Sequence, residues 1–93
     1  MMCLKIYIKG VVKGVGYLAY IYIQAERLSI KGYARYFSDD IVEVVAIGSE
    51  DTVSGFVDRL RFHDTMAIVN NIEINKCSDI ALTNVESFEI YFS

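Results

Sequence analysis

Gly10-Val11-Val12-Lys13-Gly14-Val15-Gly16-Tyr17-Leu18 joins two runs of different character, and it narrows what this chain can fold into. Before it, the apolar run from Cys3 to Ile8 reads as a strand. After it, Tyr17 to Leu28 is long enough for a helix. A glycine-rich turn between a strand and a helix start is a place to hold an anion. Glycine takes positive φ and lets a ligand approach the backbone, so successive N–H groups converge on one oxyanion. The helix start adds unpaired N–H groups and the positive end of its dipole. The stretch lacks the Gly-Lys-Ser/Thr of a P-loop and the spacing of a dinucleotide fingerprint. It offers a cradle of phosphate size over Val12, Lys13, Gly14, Val15, Gly16, Tyr17 and Leu18. Spacing alone allows equally well a turn whose glycines serve geometry only.

The rest of the chain sorts by period. Leu4-Lys5-Ile6-Tyr7-Ile8-Lys9 alternates apolar and polar apart from Tyr7. Within Tyr17 to Leu28, Ala19-Tyr20-Ile21-Tyr22-Ile23 passes for a strand. Yet Tyr17, Ile21, Ala25 and Leu28 fall at helical spacing, and Gln24 to Leu28 has good helix propensity, so helix is expected. Gly32 connects to a hairpin in which Tyr33–Phe37 and Ile41–Ile47 flank the turn Ser38-Asp39-Asp40. Val42, Val44, Val45 and Ile47 mark a central, buried strand. Ser49 is an N-cap with Glu50 and Asp51 on the first turn, and Val53, Phe56, Val57 and Leu60 form one core-facing stripe. His63-Asp64-Thr65 is a connection; Val69 to Cys77 and Ser87 to Phe92 are further strands. The order β-α-β-β-α-β plus a short terminal strand predicts an α+β, ferredoxin-like split βαβ domain over residues 1–93. Its antiparallel sheet carries two helices on one face, with strand order 4-1-3-2.

With 93 residues the chain closes one core. Its apolar fraction of 54% is high, but no apolar run approaches the about 18–20 residues of a membrane span. Lys5 and Lys9 interrupt the N-terminal run, so no signal peptide is visible. A net charge of −3 argues against non-specific nucleic-acid binding. Cys3 and Cys77 have neither metal-ligand spacing nor a C-x-x-C pair. They are expected as reduced, buried thiols of a cytoplasmic protein without metal or cofactor, although the strand order makes their strands neighbours.

The glycine stretch resembles the acylphosphatase signature G-x-V-x-G-V-G-[FY]-R at every position until the last. Gly32-Tyr33-Ala34-Arg35-Tyr36 is similar to the second signature, G-[WY]-V-[RK]-N, and Asp40 to Gly48 is close to D-G-x-V-E-V-x-A-x-G; the resemblance spans about residues 4 to 92. It implies hydrolysis of a carboxylic–phosphoric anhydride by water attacking phosphorus. In the family an arginine grips the phosphoryl oxygens beside the loop amides, and an asparagine orients the water. Those positions are Leu18 and Tyr36 here. Leu18 offers no donor where a guanidinium would match two phosphate oxygens, and the Tyr36 hydroxyl lies several Å further from its backbone than an Asn amide. The expectation is an acylphosphatase-like protein of weak or no activity whose loop still accommodates phosphate or a small acyl phosphate.

Two other readings stay open. Lys13 or Tyr36 serves a rearranged, active site. Alternatively Tyr17, Tyr20, Tyr22, Tyr33 and Tyr36, interleaved with Leu18, Ile21 and Ile23, form a protein-interaction face of a monomer or weak homodimer. Arg35 falls on the sheet face opposite Tyr36 and reads as a surface or structural residue. His63 reads as an inert surface histidine, and Asp39 and Asp40 as turn formers.

Overall fold

The computed structural model describes residues 1–78 and 85–92. β1 (Met2–Val11) is paired on both sides. It runs antiparallel to β3 (Ile41–Gly48), from Met2↔Gly48 to Lys9↔Ile41, and to β4 (Ile68–Lys76), from Leu4↔Lys76 to Val11↔Ile68. β2 (Lys31–Ser38) lies antiparallel beside β3, and β5 (Phe88–Tyr91) closes the far edge, giving the order β4-β1-β3-β2-β5. The first four strands have the expected 4-1-3-2 order. β5 runs parallel to β2, from Gly32↔Phe88 to Arg35↔Tyr91, so the five-stranded sheet is mixed where an antiparallel one was expected. Direction explains this. β4 ends and β2 begins at the same end of the sheet, as Leu4↔Lys76 and Lys31↔Ile47 show, so a strand entered from that end is parallel to β2.

Period two decides which residues meet the helices α1 (Tyr17–Arg27) and α2 (Glu50–Arg61). Ile6 and Ile8 of β1, Val42, Val44 and Ala46 of β3, and Ala34 of β2 form one cluster with Tyr17, Ile21 and Ala25 of α1 and Val53, Phe56 and Leu60 of α2. All of these are fully enclosed. Burying each large side chain contributes about 1.5–3 kcal/mol, which overrides the strand-like composition of Ala19 to Ile23. Tyr7, the break in the alternation of β1, sits on the other sheet face with its hydroxyl donated to Glu43 Oε2 at 2.8 Å. β4, an edge strand, is mostly exposed.

The cysteine expectation is corrected. Cys3 and Cys77 are joined as a disulfide on the face opposite the helices, beside Val45 and Ile47. The β1–β4 register is the cause. Leu4 pairs with Lys76, so the residues just outside that pair come opposite each other, with Cα atoms 5.1 Å apart and the Cys77 amide donated to the Cys3 carbonyl at 3.0 Å.

The bond closes a separation of 74 residues. By the chain-entropy account a closure of this size contributes about 4 kcal/mol through the unfolded state. Urea unfolding with and without reductant should therefore show a clearly lower midpoint for the reduced protein, matched by the Cys3→Ser/Cys77→Ser variant. Equal midpoints would contradict the assignment.

Candidate active site

The two helices of this chain start in different ways. α2 is capped by Ser49, whose hydroxyl accepts from the Thr52 amide at 3.3 Å, and Glu50 and Asp51 occupy its first turn. α1 has Gly16 at its cap position, no side-chain cap and no acidic residue in its first turn. The bond from the Tyr20 amide to the Gly16 carbonyl, 3.1 Å, opens the helical ladder, which leaves the amides of Tyr17, Leu18 and Ala19 without a partner inside the helix. Among the described residues, the amides of Lys13, Gly14, Val15 and Gly16 donate no hydrogen bond either. Gly14 and Gly16 both sit at φ 76°, and an added Cβ at either meets nothing within 4 Å. Glycine is needed there for backbone conformation and not for room.

Two side chains hold this loop in place. Val12 before it and Tyr17 after it are fully buried, while Lys13, Gly14 and Gly16 are exposed. The Tyr17 hydroxyl donates to the Leu60 carbonyl at 2.7 Å and that of Tyr20 to the Arg59 carbonyl at 2.7 Å. Arg59 Nη1 in turn donates to Gln24 Oε1 at 2.6 Å. Burial pushes the Tyr17 hydroxyl pKa well above its ordinary value, so it stays a donor.

Leu18 and Tyr36 both lie on the core side of the sheet. Leu18, 6% exposed, belongs to the main core cluster, and Tyr36 is half-buried against that cluster. Lys13 Nζ stands 5.6 Å from the centre of the Tyr36 ring and 3.0 Å from Asp39 Oδ1, so Asp39 does more than form the turn. His63 packs its ring 5.2 Å from that of Tyr17 and has Nδ1 2.7 Å from Thr65 Oγ1, beside the α1–α2 contact.

The opposite sheet face carries a polar centre that sequence reading left unremarked. Glu43, 4% exposed, takes Arg35 Nε at 2.8 Å and the Tyr33 hydroxyl at 3.0 Å on Oε1, and the Tyr7 hydroxyl on Oε2. Burial raises the carboxyl pKa, but the three hydrogen bonds and the Arg35 charge outweigh it, and the net shift is downward. Burial and the bond to Glu43 push Tyr33 up to about 12. Arg35 is thus structural, as strand period implied. The available signal was a carboxylate inside a run of valines, since a buried charge needs partners and period two names them.

A split βαβ fold with a glycine turn feeding an uncapped helix defines a class of small domains with a concentrated set of free backbone amides at one sheet end. The particular family follows from comparison. The acylphosphatase family model matches residues 4–90. An acylphosphatase of Archaeoglobus fulgidus is 34% identical over 92 residues, covering 99% of this chain and 100% of the relative. One of Dehalococcoides mccartyi is 36% identical over 91 residues, covering 97% and 98%. The crystal structure of acylphosphatase from Bacillus subtilis superimposes with a TM-score of 0.86 at 24% identity, over 98% of this chain and 99% of that one, which shows the shared fold. The chain belongs to the acylphosphatase family.

The site and its supporting face give separate predictions. A non-glycine residue in the left-handed region costs about 1–2 kcal/mol, so Gly16→Ala should lower the unfolding midpoint although nothing crowds its Cβ; an unchanged midpoint would refute the conformational account. Glu43 has a folded pKa below its unfolded value of about 4.3, so its contribution is present above that pH and is lost as pH falls through the folded value. The stability gap between the natural chain and Glu43→Gln, measured by urea unfolding, should be full at pH 6 and shrink below about pH 4.3. A gap constant with pH would mean the carboxylate charge is not what the network holds.

Proposed function

We propose that this chain is an acylphosphatase homologue that keeps an anion cradle at residues 12–18 and hydrolyses acyl phosphates weakly or not at all. The reaction in question adds a water oxygen to phosphorus and breaks the phosphorus–oxygen bond to the acyl group. The bonding pair leaves with the carboxylate, so RCO–OPO₃²⁻ and water give RCOO⁻ and H₂PO₄⁻. The free amides from Lys13 to Ala19 suit the phosphoryl oxygens of such a substrate. The single observation that carries the proposal is Leu18, an apolar side chain packed into the core at the position where the family resemblance puts the phosphate-gripping arginine. Phosphoryl transfer is catalysed by positioning and by stabilising charge, and an arginine directed at that charge is worth about 10³–10⁵ in rate.

A second reading rests on Lys13. Its ammonium already lies over the Tyr36 ring at the mouth of the loop, tethered by Asp39 across an exposed ion pair of the kind worth little in water. An incoming phosphoryl dianion competes with Asp39 for it.

Benzoyl phosphate hydrolysis decides between the two. The Leu18→Arg/Tyr36→Asn protein, checked for native circular dichroism, should outpace the natural chain by about 10³ or more. A natural chain within tenfold of that variant would overturn the impaired reading. The Lys13→Ala protein then distinguishes the readings further, losing turnover if Lys13 has taken over the charge.

A further inference from the structure

Along the flank of α1 that turns away from α2, Leu18, Ala19, Tyr22 and Ile23 face Ile90 and Phe92 across an apolar groove of about 510 Å³. Three of these side chains leave much of their area in water: Tyr22 is 40% exposed, Ile23 46% and Phe92 88%. The groove is continuous with the loop. Leu18 and Ala19 contribute its wall and are also two of the helix-start residues whose amides are free. At the other wall, Phe92 follows Tyr91, which pairs with Arg35, the neighbour of Tyr36. One end of the groove lies at Leu18, where the loop passes into α1, and the other at Ile23.

We propose that this groove takes the hydrocarbon chain of an acyl phosphate whose phosphoryl group lies in the loop, a reading that rests on the anion cradle proposed above. The occupant is fixed by chemistry at the two ends. The loop end has amide donors, the positive end of a helix dipole, no carboxylate in the first turn and Lys13 within reach, which suits a dianion. The groove end has six apolar-lined positions and suits a tail without polar groups. Leu18 at the junction makes the wall apolar right up to the phosphoryl position, where an arginine would have interrupted it. A protein partner fits less well, since six residues fall far short of the roughly 20–30 that a stable interface contributes from each side. Leu18 to Ile23 span about 7.5 Å of helix, so the substrate class is the phosphoric anhydride of a medium-chain carboxylic acid, and the hydrolysis written above would release its carboxylate and phosphate.

Non-hydrolysable alkyl phosphates test this without requiring turnover. Methyl and octyl phosphate, kept below micelle formation, are titrated against the full chain, following amide signals of Gly14 and Gly16 and methyl signals of Ile23 and Ile90 by nuclear magnetic resonance. A fully buried methylene is worth about fourfold in affinity and one in a groove open to water about half that in free energy, so octyl phosphate should bind at least about tenfold tighter. Both sets of signals should move together. Ile23→Gln and Phe92→Ser should each pull the octyl-to-methyl affinity ratio toward one. No binding of methyl phosphate, with Gly14 and Gly16 unmoved by either ligand, overturns the cradle and this inference with it. Equal affinity for both ligands overturns the inference alone, as does octanol binding as tightly as octyl phosphate. A sedimenting dimer that Ile23→Gln dissociates would assign the groove to a second copy of the chain and overturn it as well.

Discussion

Everything at the loop end of this domain depends on how the first turn of α1 is tied to the last turn of α2. A helix ends with four carbonyls that lack partners, and the tyrosines of α1 supply two of the missing donors: Tyr17 to Leu60 and Tyr20 to Arg59. A buried phenol needs a partner as much as a buried carbonyl does, so the Tyr17 bond removes two penalties at once, while the Tyr20 bond lies at the surface. The positive start of α1 is thereby held against the negative end of α2, an arrangement favourable for both dipoles. The glycine loop is fixed between this latch and fully buried Val12, with Val15 packed against the core and Lys13 paired with Asp39, so side chains hold it and not the backbone amides. That is why its amides are free.

The same latch accounts for much of the tyrosine excess. Tyr17, Tyr20 and Tyr33 direct their hydroxyls inward, to two carbonyls and to Glu43. Tyr36 lies under Lys13. Of the five tyrosines that suggested a partner surface, Tyr22 is the one that stands clear, in line with Ile23 along the flank of α1. Composition alone could not separate aromatic rings that end a helix from rings that await a partner, because both use the same apolar ring with a polar hydroxyl.

The sheet was legible in the sequence because its signals are local. Alternation in β1, the valine run of β3 and the i, i+3, i+4, i+7 stripe of α2 each state a buried face without reference to the rest of the chain. The strand order then followed from the element order. What was not legible depends on pairing across many residues. The Cys3–Cys77 bond needs the β1–β4 register to the exact residue, since a shift of one turns one thiol to the other face. Cysteine spacing carries no trace of that register. Glu43 was missed for the same reason: its partners Tyr7 and Arg35 lie on the two neighbouring strands, directly opposite it in register. At the loop, by contrast, the glycines and the uncapped helix start were visible at once, since backbone conformation there is set by residues within a few positions of one another.

Replacing an arginine by Leu18 alters more than the count of charges. A guanidinium at that place would need water or an anion beside it, and it would keep the groove end of the loop wet. Leu18 packs into the core instead, and the free amides then adjoin an apolar wall. Hydrogen bonds gain strength as the local dielectric falls, so amides in such a setting hold an oxyanion more firmly than amides facing bulk solvent. Desolvating the dianion costs more there too, and Lys13, exposed and already paired with Asp39, offsets little of that cost. The balance favours a ligand whose remainder benefits from leaving water. For a small phosphate, loss of the arginine is a loss of affinity and of transition-state stabilisation together. A phosphate with a hydrocarbon tail recovers the first from the groove and not the second. On the cradle and groove proposed above, a site with Leu18 in the arginine's place is better suited to holding such a molecule than to cleaving it.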